Sequence, residues 1–362
     1  MNKVMKNTSI CDEKICISID TLGGDNDELT VIRGLELVRG TFPQVSYILH
    51  GNSKNLQSLL NDYPELKKIS EIKNAEKAVL MTQKPTDALR NGNGTSMLSS
   101  IQSVKDNHAN AAVSCGNTGA LMLMSLVKLR KISGVNRPAI AVLWPSRNPS
   151  GFNILLDAGA DVKADTQDLL KYAIMGATYA QNGFNISLPR VGLLNVGTEE
   201  IKGSKHLYNA NEEIKIASKN YNFNYLGFVE GTDLPSDIVD VIVTDGFTGN
   251  IALKTGEGTA KLIGDFVSNS FNQSFLSRVS SIFAIKPLKR LKNKMDPRRV
   301  NGGVLLGLNG LIVKSHGNAD HIGIEAAVRL AIRLTTNNFS HNLSSNLSNP
   351  KISNDESNSS LN

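Results

Sequence analysis

Short runs dominated by Val, Ile and Leu recur along the chain, at 15–20, 45–50, 111–114, 139–144, 153–157, 190–195, 239–245 and 310–315. Longer stretches with apolar residues at helical spacing separate most of them, among them 166–181, 204–219, 248–271 and 319–334. Strand-length runs alternating with helix-length amphipathic segments imply crossover connections, and hence a mainly parallel sheet with helices on both faces. The pattern therefore predicts an α/β fold. No internal repeat is visible.

Within that pattern the apolar runs end in a recurring way. Asp20 precedes Gly23-Gly24, Ser114 precedes Gly116, Asp157 precedes Gly159, Asn195 precedes Gly197, Asp245 precedes Gly246, and Ser315-His316 precedes Gly317. In a parallel sheet such endings lie at the carboxyl edge, where open α/β sheets bind ligands, so the set predicts one shared polar cleft. Each ending taken alone suits a helix cap or turn equally well. The most informative is Ser114-Cys115-Gly116-Asn117-Thr118-Gly119-Ala120, between the apolar run 111–113 and the helix-like 121–129. A strand, a glycine turn and a helix start leave backbone N–H groups and the positive helix end facing any anion above the strand. A structural Asn/Thr cap remains open for it.

Two segments depart from the alternation. Residues 336–362 are dominated by Asn and Ser and read as a disordered tail, because they bury too little to offset their ordering entropy. Between 266 and 299, Phe266, Phe271, Phe275, Phe283 and neighbouring aliphatics lead into Lys286, Lys289, Arg290, Lys292 and Lys294, with Pro287 interrupting any helix. This helical excursion suits either packing on the body or a partner, or contact with an anionic membrane or acidic partner.

Composition narrows the function. Of 362 residues, 40% are hydrophobic and 20% charged, as in an ordinary globular protein long enough for one large domain or two smaller ones. The net charge of +6 comes without a basic block interleaved with aromatics, so no nucleic-acid partner is expected. Cys11, Cys16 and Cys115 have neither the count nor the spacing of a disulfide framework or zinc site. No apolar leader or membrane span is visible, and a cytoplasmic location is expected.

Candidate chemistry is largely a matter of charge. There is no Gly-x-Ser-x-Gly elbow, no His-Glu-x-x-His and no Cys-x-x-Cys, so neither a hydrolytic nucleophile nor a metal is expected. Gly23-Gly24 lacks the third glycine of a dinucleotide fingerprint, and no cofactor is expected. Cys115, at a helix start that lowers a thiol pKa, is the one tempting nucleophile, although a small thiol in a packed turn is more often structural. The positive groups near the inferred edge are Arg137, Lys202, Lys254, Lys314 and His316. If a helix opens at Thr248 or Gly249, Asn250 and Lys254 share one of its faces.

In this order the motifs resemble the PlsX family of phosphate acyltransferases. The matching stretches are Ile19-Asp20-Thr21-Leu22-Gly23-Gly24-Asp25, Lys84-Pro85 to Arg90, Val113 to Met122, Arg137-Pro138-Ala139-Ile140-Ala141 and Leu155-Leu156-Asp157-Ala158-Gly159-Ala160. Pro189 to Gly197, Gly227-Phe228-Val229-Glu230-Gly231, Asp245-Gly246-Phe247-Thr248-Gly249-Asn250 and Leu306-Gly307-Leu308-Asn309-Gly310 complete the set. The resemblance implies a three-layer α/β/α fold related to phosphotransacetylases and isocitrate-dehydrogenase-like enzymes. It implies a domain over 14–335 after an N-terminal extension, 1–13, with the 266–299 excursion tied to a homodimer and to peripheral membrane contact at the inner face.

The implied activity is acyl transfer from acyl-ACP (acyl carrier protein) to orthophosphate, giving acyl-phosphate and free ACP. This is the first step toward phosphatidic acid, ahead of an acyl-phosphate-using glycerol-3-phosphate acyltransferase. A short-chain phosphotransacylase using acyl-CoA and a non-catalytic ACP- or membrane-binding scaffold are the alternatives. For the implied reaction, Gly116, Asn117, Thr118 and Gly119 are expected to cradle phosphate, with Arg137 and Asp157 as further substrate-binding residues. Lys254, Asn250 and Asn195 would face the phosphate charge or the oxyanion, Asp20, Asp157 and Asp245 would orient these groups, and His316 would protonate the thiolate or sit satisfied in the core. The chain departs from the family at Asn26, where a His is usual, and at Cys115, where a small residue such as Ala is usual. The second departure disfavours a covalent acyl-cysteine.

Overall fold

A computed structural model of the chain describes residues 15–199, 202–272 and 302–348. The expected N-terminal extension, 1–13, therefore lies outside the described residues. So does the part of the expected 266–299 excursion beyond residue 272.

One sheet of eleven strands runs through the chain. Its strands are β1 (Cys16–Asp20), β2 (Ser46–Gly51), β3 (Ser70–Asn74), β4 (Ala111–Ser114), β5 (Ala139–Pro145), β6 (Phe152–Leu156), β7 (Arg190–Leu194), β8 (Asn224–Val229), β9 (Val241–Val243), β10 (Gly303–Leu306) and β11 (Leu311–Lys314). The helices are α1 (Glu28–Arg39), α2 (Ser53–Leu60), α3 (Pro64–Lys68), α4 (Pro85–Arg90), α5 (Ser96–Lys105), α6 (Thr118–Leu129), α7 (Thr166–Phe184), α8 (Lys205–Tyr221), α9 (Gly246–Asn272), α10 (His321–Thr336) and α11 (Phe339–Ser348).

Strand alternation builds three layers. Ala111 and Val113, Leu311 and Val313, Val304 and Leu306, and Ala139 and Ala141 point to one face, where they join buried residues of α1, α7, α8, α10 and α11. Ala112, Ile312, Leu305 and Ile140 point to the other, against α4, α5 and α6. The same face continues through Leu155, Leu194 and Ile242, which pack with Ala252 of α9. Because both faces are covered, the central strands read as continuous apolar runs, as the sequence pattern requires.

The strand order is β3-β2-β1-β4-β11-β10-β5-β6-β9-β7-β8. Most pairings are parallel, but β11–β10, β10–β5 and β5–β6 are antiparallel. Three reversals in succession leave β6, β9, β7 and β8 pointing opposite to β3, β2, β1, β4 and β11. The strand endings therefore do not share one carboxyl edge, as the alternation alone suggests. Asp20, Ser114 and Ser315-His316 lie at one edge, whereas Asp157, Asn195 and Asp245 lie at the opposite one.

What reconnects the two edges is α9. It begins after β9 at the second edge and runs back along the sheet, packing on β5 and β6. At about 1.5 Å per residue, the eight residues from Gly246 to Lys254 climb about 12 Å, close to the length of a four-residue strand. Lys254 thus arrives near the first edge.

The tail expectation also needs correction. Residues 339–348 form α11, with Phe339, Leu343 and Leu347 buried. Phe339 meets Tyr179 of α7 edge-on at 5.8 Å between ring centroids, and Asn346 donates to Thr178 at 3.0 Å. An i, i+4 apolar row with a partner helix stabilises what its Asn/Ser composition would leave unfolded.

Candidate active site

The first edge is organised around Asp20 at the end of β1. Its buried carboxylate accepts from Ser96 Oγ at 2.5 Å and Ser114 Oγ at 2.6 Å. Backbone groups of Leu22 and Gly23 also contribute, but burial outweighs these bonds and raises its pKa. Asp20 therefore ties β1, α5 and β4 together. The loop that follows is wedged between the loop after β11 and the β4–α6 turn so closely that a Cβ on Gly24, whose φ is +100°, would come within 2.5 Å of Gly317 O and 3.0 Å of Cys115 Cβ. Only glycine fits there. Asp25 N donates to Gly317 O at 2.7 Å, and Asn26 Nδ2 to Ala319 O at 2.8 Å. Asn26, the departure noted above, thus holds the loop after β11.

The glycine turn does open a helix, with Asn117 as its cap. Asn117 Oδ1 accepts from Ala120 N at 3.0 Å, while Nδ2 donates to Met81 O at 2.8 Å and Gln83 O at 3.0 Å. The side chain expected to touch phosphate is committed to the cap and to the 80–83 loop. Gly116 N donates to Ser114 Oγ at 3.1 Å. What remains for an anion at this turn is the first-turn backbone of Thr118 and Gly119, both exposed. Cys115 is buried, and its thiol is pushed up to about 11 by desolvation. The helix start does not overcome that burial, so the group is a neutral thiol at physiological pH and a poor nucleophile.

Three basic side chains meet at this edge. Lys314, at the end of β11, is buried and donates to the carbonyls of Cys115 and Ser315. His316 is exposed, yet surrounding protein lowers its pKa, with Glu257 opposing that shift and Lys314 and Lys254 adding to it. It is not a core histidine. Lys254 is exposed and pairs with Glu257 at 2.7 Å.

A second group lies at the opposite edge. Asp157 is buried and accepts from the backbone N–H groups of Ile140, Gly159, Ala160 and Asp161. Burial still raises its pKa to about 6. Arg137 is 3.2 Å from Asp161, which also accepts from Tyr172 at 3.0 Å. Asp245 caps α9, accepting from Thr248 N at 2.9 Å, and Asn250 donates to Ala158 O at 3.2 Å. These residues anchor the start of α9. Asn250 and Lys254 are one turn apart, so α9 joins the two groups. Asn195 stands apart from both, donating to Lys202 O at 2.8 Å and accepting from Val196 N at 2.9 Å. It shapes the loop after β7, and Lys202 pairs with Glu199 at 2.7 Å.

The structure thus brings together Asp20, Gly116, Thr118, Gly119, Lys254 and His316, and in a second group Arg137, Asp157, Asp245 and Asn250. Sequence reasoning did not single out Glu257, although its i, i+3 spacing from Lys254 marks a helix ion pair. Ser96 and the 80–83 loop reach the edge only through tertiary packing, and no local signal marks them. Among the described residues no cluster of His, Cys, Asp and Glu could hold a metal ion.

A glycine turn at a helix start, with two lysines and a histidine at the same sheet edge, makes this edge the candidate site. The fold is that of the phosphotransacetylases. The enzyme of Streptococcus pyogenes superposes with a TM-score of 0.57 at 18% identity, covering 89% of this chain and 94% of its own. The EutD phosphotransacetylase of Staphylococcus aureus gives 0.56 at 14%, covering 91% and 94%. The sequence is more specific. A family model described as fatty acid synthesis protein matches residues 15–342. The phosphate acyltransferase of Paracoccus denitrificans is 55% identical over 316 residues, 87% of this chain and 85% of its own. That of Jannaschia sp. is 54% identical over 314 residues, 87% and 86%. The chain belongs to this family of phosphate acyltransferases and is an acyltransferase.

Proposed function

We propose that the chain moves a fatty acyl group from acyl-ACP to orthophosphate, releasing acyl-phosphate and free ACP. The observation that carries this reading is the meeting of Lys254, Lys314 and His316 beside Cys115, which leads into the glycine turn and is held as a neutral thiol. With Cys115 buried as a neutral thiol and so unsuited to form an acyl-enzyme, a phosphate oxygen attacks the thioester carbonyl carbon directly. The carbonyl electrons move onto oxygen and return as the C–S bond breaks. The sulfur leaves with that electron pair and takes a proton, which His316, favoured neutral by its surroundings, is assigned to pass on from the attacking hydrogen phosphate. Positioning two substrates and stabilising the oxyanion is the work required of such a site.

The assignment extends to the surroundings. α9 exposes Phe247, Ile251, Leu262 and Phe266, an apolar row that supports a homodimer contact. The basic part of the 266–299 excursion is assigned to peripheral membrane contact, and glycerol-3-phosphate acylation consumes the product. Among the described residues no helix is long and apolar enough to cross a membrane.

Incubating the protein with acyl-ACP and labelled phosphate, and trapping acyl-phosphate with hydroxylamine, tests the reaction. Acyl-ACP is expected to react at least tenfold faster than acyl-CoA, and Lys254→Ala to lose at least tenfold in kcat/KM. Preference for acyl-CoA overturns the donor assignment, and full activity of Lys254→Ala overturns the site.

A further inference from the structure

Lys314 is only 8% exposed, at the end of a strand flanked by β4 and β10. Burying an ammonium costs several kcal/mol unless a countercharge meets it. Here its Nζ donates to two neutral acceptors, Cys115 O at 3.3 Å and Ser315 O. Asp20 and Asp25 act on it only through longer-range attraction. An ammonium carries three donors. Two go to these carbonyls, and among the described residues the third has no acceptor. Packing does not explain the choice, since a methionine would fill the same space without the desolvation cost.

The location does explain it. Cys115, whose carbonyl Lys314 holds, immediately precedes Gly116 and the helix start of α6. Lys254 of α9 and Asp25 of the β1 loop both act electrostatically on the same ammonium, and His316 two residues on feels both lysines. The buried charge lies where the loops after β1, β4 and β11 meet α9.

Resting on the proposed activity, we infer that Lys314 is the principal cation holding orthophosphate, its third N–H donating to a phosphate oxygen while Lys254 meets the same anion from α9. A cation already desolvated and fixed by two carbonyls attracts a dianion more strongly than an exposed one and needs no reorganisation. Lys254 begins exposed and paired with Glu257, so it exchanges that carboxylate for the incoming phosphate.

Burial lowers the Lys314 ammonium to about 8. Without phosphate it loses its proton, and its hold on the anion, as the pH rises past that value. The test compares Lys314→Met and Lys314→Arg with the unsubstituted chain. It measures KM for phosphate, KM for acyl-ACP, direct binding of inorganic phosphate by 31P NMR titration, and thermal melting.

Lys314→Met is expected to melt normally, raise KM for phosphate and weaken phosphate binding tenfold or more, and leave KM for acyl-ACP within twofold. The unsubstituted protein should bind phosphate less well above pH 8, and Lys314→Arg should move that break to higher pH. If the Met variant does not fold, the pH break in the Arg variant decides. A folded Lys314→Met with unchanged phosphate binding, or a break that stays near pH 8 in Lys314→Arg, overturns the inference. A parent chain that binds phosphate through Lys314 but makes no acyl-phosphate overturns the proposed activity instead.

Discussion

Asn117 separates two roles that a glycine turn combines, the helix cap and the hold on a neighbouring loop. Its Oδ1 caps α6, and its Nδ2 reaches the carbonyls of Met81 and Gln83. Asn117→Ser keeps a cap acceptor of equal quality but is too short for the loop, whereas Asn117→Ala removes both. A lost cap costs about 1 kcal/mol. The loop bonds are worth about 1 kcal/mol together, because the loop is largely exposed and water takes over part of their role. Ser should therefore cost about 1 kcal/mol and Ala about 2 kcal/mol. At about 2.1 cal/mol/K per residue, a chain of 362 residues loses about 1.3 °C per kcal/mol, giving shifts near 1 and 3 °C. Differential scanning fluorimetry with replicates resolves these. In the enzyme assay Ser should leave KM for phosphate within about twofold, since the N–H groups of Thr118 and Gly119 stay in place. Ala should raise it several-fold as the first turn frays. An Asn117→Ser variant with unchanged melting temperature but a phosphate KM as high as that of Asn117→Ala would refute the reasoning, because the side chain would then touch the anion itself.

Two further outcomes follow from buried groups. Asp157 titrates near 6 in the folded chain against an ordinary value of 3.8, since burial outweighs its backbone hydrogen bonds. The folded state therefore binds more protons between about pH 4 and 6, and about 3 kcal/mol of relative stability present below pH 4 is lost as the pH rises through 6. The melting-temperature advantage over Asp157→Asn should shrink from pH 4.5 to 7.5, and growth over that interval would show that the hydrogen bonds win. Cys115, buried and pushed up to about 11, should resist iodoacetamide in the native protein at pH 7.5 and react only after unfolding. Peptide mapping that finds rapid native alkylation there, or an acyl group on it after reaction with acyl-ACP, would reinstate a covalent route.

Local features were legible wherever local physics suffices. Continuous apolar runs at 111–114, 153–157 and 190–195 marked strands buried on both faces. Asn117 at the start of α6 and Asp245 before α9 carried cap chemistry whatever their further role. β10 was missed, because Gly303-Val304-Leu305-Leu306 is too short to stand out from its surroundings. α11 was misjudged from its Asn and Ser content. Phe339, Leu343 and Leu347 gave a helical signal, but α7 had to be present to bury it.

The sequence by itself determined the class of fold, the layers, the helix starts and the family, because these follow from periodicity, capping and motif order along the chain. Tertiary structure alone decided which polar strand ends meet. Three antiparallel pairings in the middle of the sheet set five of its eleven strands against the other six. Strand direction within a sheet is set by partners distant in sequence, and nothing in Asp157 or Asp245 records it. The same is true of Lys314. In the sequence it is one positive residue among several, and only the packing of β4, β10 and the Cys115 carbonyl around it turns it into a desolvated charge with one donor unspent.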